Sequence, residues 1–205
     1  MSQLRSDQVR QLAEADLVTF IQLVHPHRVM GSIHKELCQW WTRESAKTHQ
    51  LVLLPRDHGK SAYVAYRVAW EITRNPAIRV LYISSTANLA IKQLKFIKDI
   101  LTSRIYRRYW PEMINEEEGK RKRWTTSEIS VDHPEREKEN VRDPTIFTAG
   151  LTTGITGLHF DIAVLDDVVV KENAYSEEGR EKVKQQYSLL ASIEAADAYE
   201  WAVGT

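Results

Sequence analysis

The spacing of hydrophobic residues predicts helices at the start of the chain. Apolar side chains recur at helical intervals over residues 7–24, which indicates an amphipathic helix capped by Ser6 and ended by His25-Pro26. A second helical pattern covers residues 33–46. Together these patterns predict an N-terminal helical segment, residues 1–49, that packs on the rest of the chain.

From residue 50 onward, short apolar runs alternate with helical patterns. The apolar runs predict strands at 50–54, 79–85, 145–149, 161–165 and 200–203. The patterns between and after them predict helices at 61–74, 86–101 and 176–195. Because strand–helix alternation implies crossover connections, we expect an α/β fold with a mainly parallel central sheet flanked by helices, spanning residues 50–205.

Residues 102–144 interrupt this alternation. They are highly charged and contain an acidic run, Glu116–Glu118, followed by a basic run, Lys120–Arg123. We interpret the segment as a charged insertion in the core, with short strands near 124–131.

Composition narrows the class of protein only moderately. Of 205 residues, 28 are Lys or Arg and 28 are Asp or Glu, so nucleic-acid binding would depend on a local patch and not on net charge. A single cysteine, Cys38, excludes an internal disulfide and fits a reducing compartment. The polar N-terminus and the absence of a run of about 20 apolar residues predict a soluble intracellular protein without a membrane span.

The tripeptide Gly59-Lys60-Ser61 lies between a predicted strand and a predicted helix. This is the context of a phosphate-binding loop, in which backbone N–H groups and the helix N-terminus cradle phosphates. Lys60 would pair with the β- and γ-phosphates of ATP, and the Ser61 hydroxyl would bind Mg²⁺. The residues expected to surround the nucleotide are Pro55, Arg56, Asp57, His58, Gly59, Lys60 and Ser61. The usual first glycine of such a loop is replaced by Leu54, so a surface turn that happens to contain these residues is the alternative.

Two acids follow the predicted strand in the run DIAVLDD. In enzymes with a phosphate-binding loop, the first acid after such a strand holds Mg²⁺ and the next positions the attacking water. We therefore expect Asp166 in the metal role and Asp167 in the catalytic role. The alternative is a pair of solvated acids at a strand end.

These motifs together resemble the large terminase subunit family of phages. The matching runs are PRDHGKS at 55–61, VLYISSTANLA at 80–90, TTGITGLHFDIAVLDD at 152–167 and AVGT at 202–205. The run DDVVVKENAYSEEGR is similar to the short-tailed-phage branch of the family.

The resemblance implies an ATP-hydrolysing P-loop NTPase of the ASCE, RecA-like type that pumps double-stranded DNA into a procapsid. It implies a homo-oligomeric ring, a pentamer, seated on the portal of the procapsid, with the small terminase subunit as a further partner, in the host cell cytoplasm. Gly204 and Thr205 correspond to the family's coupling motif, which links ATP turnover to DNA movement. Full-length members carry a C-terminal nuclease domain, and we expect neither that domain nor its activity in this chain.

Two departures from the family pattern affect the expected chemistry. Asp167 replaces the usual glutamate and is one methylene shorter. Thr156 stands where some members place an arginine finger, which leaves Arg56 in the loop as the candidate for a cis catalytic charge, and Arg136 or Arg142 as further candidates. One alternative is a helicase-like nucleic-acid translocase, which would have the same sheet. The other is a nucleotide-binding module with little hydrolysis, which the missing first glycine and Asp167 favour.

Two other groups of residues have a functional and a structural interpretation. His34, Gln39 and Trp40 would flank the adenine if the family's base contacts upstream of the loop apply, whereas paired tryptophans are also typical of a core. The arginines of 104–108, with Lys120–Arg123, would contact DNA phosphates or simply form a solvated charged face.

Overall fold

The structure is a computed structural model that describes residues 5–43, 47–155, 157–190 and 194–205. The N-terminal segment forms three helices: α1 (Ser6–Ala15), α2 (Leu17–Val24) and α3 (Ser32–Thr42). The prediction of one helix over 7–24 is wrong, because the helix is interrupted at Asp16. The Asp16 carboxylate accepts a hydrogen bond from the Thr19 N–H at 2.7 Å and caps α2. The predicted end of the next helix, at 44–46, lies outside the described residues.

Within the described residues, seven strands form one sheet in the order β1-β7-β6-β2-β5-β4-β3. Their bounds are β1 His49–Leu53, β2 Val80–Ser84, β3 Arg123–Trp124, β4 Glu128–Ser130, β5 Ile146–Gly150, β6 Phe160–Asp166 and β7 Glu194–Gly204. The first five strands of this order are parallel, and β4 and β3 extend the sheet in antiparallel fashion. The predicted α/β class with a mainly parallel sheet is confirmed.

Helices connect these strands and cover the sheet. They are α4 (Lys60–Arg74), α5 (Ala87–Thr102), α6 (Arg104–Tyr109), α7 (Glu135–Lys138), α8 (Lys171–Ala174) and α9 (Glu177–Leu190). No helix among the described residues has the length and apolar character needed to cross a membrane.

Alternate side chains of the strands point to opposite faces of the sheet and belong to two separate apolar clusters. On one face, Tyr82 and Val164 pack in a large cluster that includes the buried faces of α1 to α5. On the other face, Leu81 and Leu165 form a smaller cluster that Leu190 of α9 covers. Asp166 follows Val164 by two residues, so its side chain projects to the face on which α4 lies.

The strand order brings three chain segments to one edge of the sheet. The strand β7 lies between β1 and β6, with Gly204 paired to Leu53 and Val203 paired to Asp166. Because all three strands are parallel, the loop after β1, the acids after β6 and the residues after β7 meet at their carboxyl ends.

The charged insertion contains α6, the short antiparallel strands and α7. Its basic run is largely neutralised by carboxylates, since Lys120 pairs with Glu117, Lys122 with Glu137 and Arg123 with Glu128. These ion pairs favour the interpretation of the run as a solvated charged face.

Candidate nucleotide-binding site

The loop between β1 and α4 turns sharply before it enters the helix. Asp57 and Gly59 both adopt left-handed conformations, each with φ of 67°, which bend the chain sharply before α4 begins. Glycine suits position 59 because a Cβ atom there would be strained and would lie 3.1 Å from Nη2 of Arg28. The N-terminus of a 15-residue helix therefore opens directly onto the loop, an arrangement that favours bound anions.

Lys60 links the loop to the ends of both neighbouring strands. Its side chain is 10% exposed, and its Nζ atom donates to Oγ1 of Thr205 at 2.8 Å. The same ammonium lies 3.1 Å from Oδ2 of Asp167. Three residues that the sequence motifs single out separately are thus in direct contact.

Asp166 is buried, at 3% exposure, and each of its carboxylate oxygens accepts one hydrogen bond. Ser61 donates to Oδ1 at 2.9 Å, and the phenol of Tyr82 donates to Oδ2 at 2.9 Å. Burial raises the pKa of Asp166, and these two hydrogen bonds oppose that shift. The carboxylate is therefore fixed in orientation next to the Ser61 hydroxyl.

Asp167 projects from a strained backbone position at the end of β6. Its φ is 47°, in the left-handed region, and its N–H donates to the Val203 carbonyl at 2.9 Å. Its side chain is 38% exposed, in contrast to the buried Asp166. The two neighbouring acids therefore occupy different environments: one faces the helix, and the other faces solvent and the Lys60 ammonium.

The remaining loop residues are more exposed. Pro55, Arg56 and Asp57 are all exposed, and the Arg56 guanidinium makes no hydrogen bond or ion pair with any described residue. His58 is half-buried, and its Nδ1 atom donates to the Arg56 carbonyl at 3.0 Å, which closes the turn. Arg56 is consequently free to reach a bound polyanion.

The candidates for an arginine finger differ in their burial and in their hydrogen bonds. Arg136 is wrong for this role: it is 6% exposed, and its guanidinium donates to the backbone carbonyls of Pro76, Ile78 and Asp143. It ties together loops that lie beyond the far end of α4. Arg142 is exposed and has no hydrogen bond or ion pair to a described residue. Thr156 lies outside the described residues.

The candidate adenine contacts differ in whether they touch the loop. His34 stacks on Tyr63 with ring centroids 4.6 Å apart, and its Nε2 atom donates to the His58 carbonyl at 3.2 Å, so it touches the loop. Trp40 packs against the core, in agreement with its structural interpretation, and Gln39 is exposed.

Sequence reasoning missed two residues that contact the site. Tyr82 reaches Asp166 from the middle of β2, and its only sequence signal is a polar tip within an otherwise apolar run. Arg28 lies over the Tyr63 and Tyr66 rings, at 5.2 and 5.7 Å, next to the loop glycine. Its position before α3 gave no signal, because nothing in a linear sequence places residue 28 beside residue 59.

The residues present fit a magnesium–nucleotide complex. No described group of three or more His, Cys, Asp or Glu side chains is arranged to hold a metal by itself. Mg²⁺ typically takes one or two protein oxygens and fills its other positions with phosphate oxygens and water. Ser61 and Asp166 offer such a small, hard-oxygen set beside the phosphate cradle.

Comparison with known proteins supports the resemblance seen in the sequence motifs. No protein-family model matches the chain. The chain is 25% identical over 128 residues to "Terminase, large subunit" of Enterobacteria phage T3, an alignment that covers 62% of this chain and 20% of the relative. The chain thus matches about a fifth of the length of that relative.

Solved structures show the same fold at low sequence identity. The large terminase of bacteriophage HK97 superposes with a TM-score of 0.53 at 9% identity, covering 99% of this chain and 38% of that one. The large terminase ATPase domain of Thermus phage P74-26 gives 0.50 at 14% identity, covering 91% and 68%. Saccharomyces cerevisiae Dbp5, solved with Nup159, Gle1, IP6 and ADP, gives 0.51 at 11% identity, covering 92% and 45%. The similarity to large terminase subunits is confirmed; the short-tailed branch stays a prediction.

Proposed function

We propose that this chain is the ATP-hydrolysing motor domain of a large terminase subunit, which couples Mg-ATP hydrolysis to translocation of double-stranded DNA into a procapsid. One observation carries the proposal. The phosphate-loop residues Lys60 and Ser61 meet Asp166, Asp167 and Thr205 at one edge of the sheet, although these two groups lie more than a hundred residues apart.

Each side chain has a distinct role in this proposal. Lys60 exchanges its present partners for the β- and γ-phosphates, and Ser61 and Asp166 hold Mg²⁺. The metal, when bound, neutralises charge that develops on the phosphate oxygens. Asp167 orients the attacking water, and its solvent-facing position supports this role. Arg56 supplies positive charge from within the loop.

The contact between Lys60 and Thr205 supports a coupling role for Gly204 and Thr205. Thr205 follows directly after β7, which lies between β1, the strand before the loop, and β6, the strand at whose end the two acids lie. A change of partner at the Lys60 ammonium therefore breaks or alters the hydrogen bond to Thr205 at the end of β7. We propose that this is the path by which nucleotide state reaches the DNA-moving parts of the protein.

The partners follow from the proposed class. They are double-stranded DNA, the portal of the procapsid, the small terminase subunit and further copies of the chain in a pentameric ring, in the host cell cytoplasm. The segment 1–49 acts as a helical support for the core at 50–205.

A helicase-like translocase is the second candidate, and a specific observation favours it. Dbp5 matches the fold as well as the P74-26 ATPase domain does. The sheet alone therefore does not distinguish the two classes. The nucleic acid that stimulates ATP hydrolysis distinguishes the two classes. We expect ATP turnover to rise with linear double-stranded DNA, whereas stimulation by single-stranded RNA alone would favour the second candidate.

The test of the nucleotide site is isothermal titration with Mg-ATP. Lys60→Ala removes charge-assisted bonds to phosphate, each typically worth about 1.5–3 kcal/mol, so affinity should fall at least about tenfold. Lys138→Ala is the matched control, because Lys138 is exposed and pairs only with Glu135 in the insertion. Equal affinities for Lys60→Ala and the unaltered protein would refute the assignment of the loop.

A further inference from the structure

The hydroxyl of Tyr82 donates a hydrogen bond to Asp166, the carboxylate that would bind the metal in the proposed site. Tyr82 is fully buried in β2, the strand that pairs with β6, and its main-chain partner in the register is Val164. Asp166 lies two residues further along the same face of the sheet. Two residues of a strand span about 6.6 Å, a distance that a tyrosine side chain can bridge and that a serine or threonine cannot.

From this geometry we infer that Tyr82 is a positioning residue for magnesium, acting through Asp166. The phenol and the Ser61 hydroxyl each donate to a different oxygen of the same buried carboxylate, at 2.9 Å in both cases. A carboxylate with one donor on each oxygen cannot rotate without breaking a bond in a medium where water does not replace it. The two hydrogen bonds therefore fix the orientation of the carboxylate.

The opposing donors also explain why both groups are needed. Ser61 lies in the first turn of α4, next to the loop, whereas Tyr82 lies on β2 in the middle of the sheet. Asp166 is thus held between a helix and a strand, and each of its carboxylate oxygens has its own donor.

The inference rests on the proposed function, and its test separates the two. Nucleotide affinity is measured with Mg²⁺ and with a chelator in its place, for Tyr82→Phe and for the unaltered protein. We expect Tyr82→Phe to raise the Mg²⁺ concentration at half-saturation about tenfold, the effect typical of losing a hydrogen bond to a charged group. Affinity in the presence of the chelator should stay within twofold, and turnover at saturating Mg²⁺ should largely recover.

Tyr106→Phe is the matched control. Tyr106 is also fully buried and also loses a hydroxyl bond, to Thr73 at 2.9 Å, but it lies on α6, away from the loop. It should lower the melting temperature without moving the Mg²⁺ midpoint. A purely structural role for Tyr82 would give the same result, and equal Mg²⁺ midpoints for the two variants would overturn the inference.

Two further outcomes are decisive. If the unaltered protein binds nucleotide equally with Mg²⁺ and chelator, the proposed function and this inference both fail. If Tyr82→Phe does not fold, 3-fluorotyrosine at position 82 keeps the hydroxyl and makes it a more acidic donor. The Mg²⁺ midpoint should then shift at least twofold, while the same replacement at Tyr106 leaves it unchanged; no shift at position 82 would overturn the inference.

Discussion

Replacing Asp167 by asparagine should strengthen nucleotide binding while it slows turnover. In the structure the Asp167 carboxylate lies 3.1 Å from the Lys60 ammonium, the group that the phosphates require in the proposed site. Nucleotide must therefore displace Asp167 from Lys60 before the lysine can bind the phosphates. Asp167→Asn removes this competition and keeps the size of the side chain.

The magnitude follows from the distance and the exposure of the pair. Two unit charges 3.1 Å apart attract by about 1.3 kcal/mol in a water-like dielectric. Asp167 is 38% exposed, so solvent screens the pair, and exposed ion pairs typically contribute about 0.2–1 kcal/mol. The expected gain in affinity is accordingly about two- to fivefold, and it should shrink as salt is added. Turnover should fall about a hundredfold or more if Asp167 orients the water.

The assay is titration with a non-hydrolysable ATP analogue and Mg²⁺ at low salt, followed by steady-state turnover. Asp166→Asn should weaken Mg²⁺-dependent binding, because it alters a metal ligand of the proposed site. Asp161→Asn is the control: it lies on the same strand but pairs with Arg79 at the opposite end. Equal losses of binding in Asp167→Asn and Asp166→Asn would refute the reasoning and make Asp167 a metal ligand or a structural residue.

Two further predictions concern the ring and the sheet. We expect turnover per chain to rise with protein concentration, because an arginine finger from a neighbouring subunit typically accelerates phosphoryl transfer about 10³–10⁵-fold; fast turnover that is independent of concentration and lost in Arg56→Ala would instead identify the loop arginine as the source. Gly150→Ala should destabilise the fold by about 1–3 kcal/mol, since its Cβ would lie 2.7 Å from the Ala87 backbone nitrogen. Gly119→Ala, where a Cβ meets nothing within 4 Å, should change the denaturant midpoint little, and equal midpoints for the two variants would contradict the close-approach argument.

The sequence by itself determined most of the elements and the main chemical candidates. The helix predicted at 176–195 is wrong at its end, because α9 ends at Leu190 and β7, predicted at 200–203, already begins at Glu194. The apolar runs predicted the parallel strands because buried strands need continuous hydrophobic side chains. The helical patterns predicted α4 and α5 nearly to their ends. Gly59, Lys60, Ser61 and the two acids could be chosen because their residue types, placed at strand ends, carry recognisable chemistry. The failure at Asp16 was a local one, since an aspartate within a helical pattern reads equally as a surface residue or as a cap.

Only the tertiary structure decided which of these residues meet and how. The order in which strands pair is set by packing across the whole sheet, so the placement of β7 between β1 and β6, and hence the contact of Thr205 with Lys60, cannot be read from a linear pattern. The different environments of the two acids cannot be read from a linear pattern either. Burial between Ser61 and Tyr82 fixes Asp166, whereas the left-handed turn exposes Asp167. Residue type and spacing are local properties, but burial and orientation depend on neighbours that are distant in the chain.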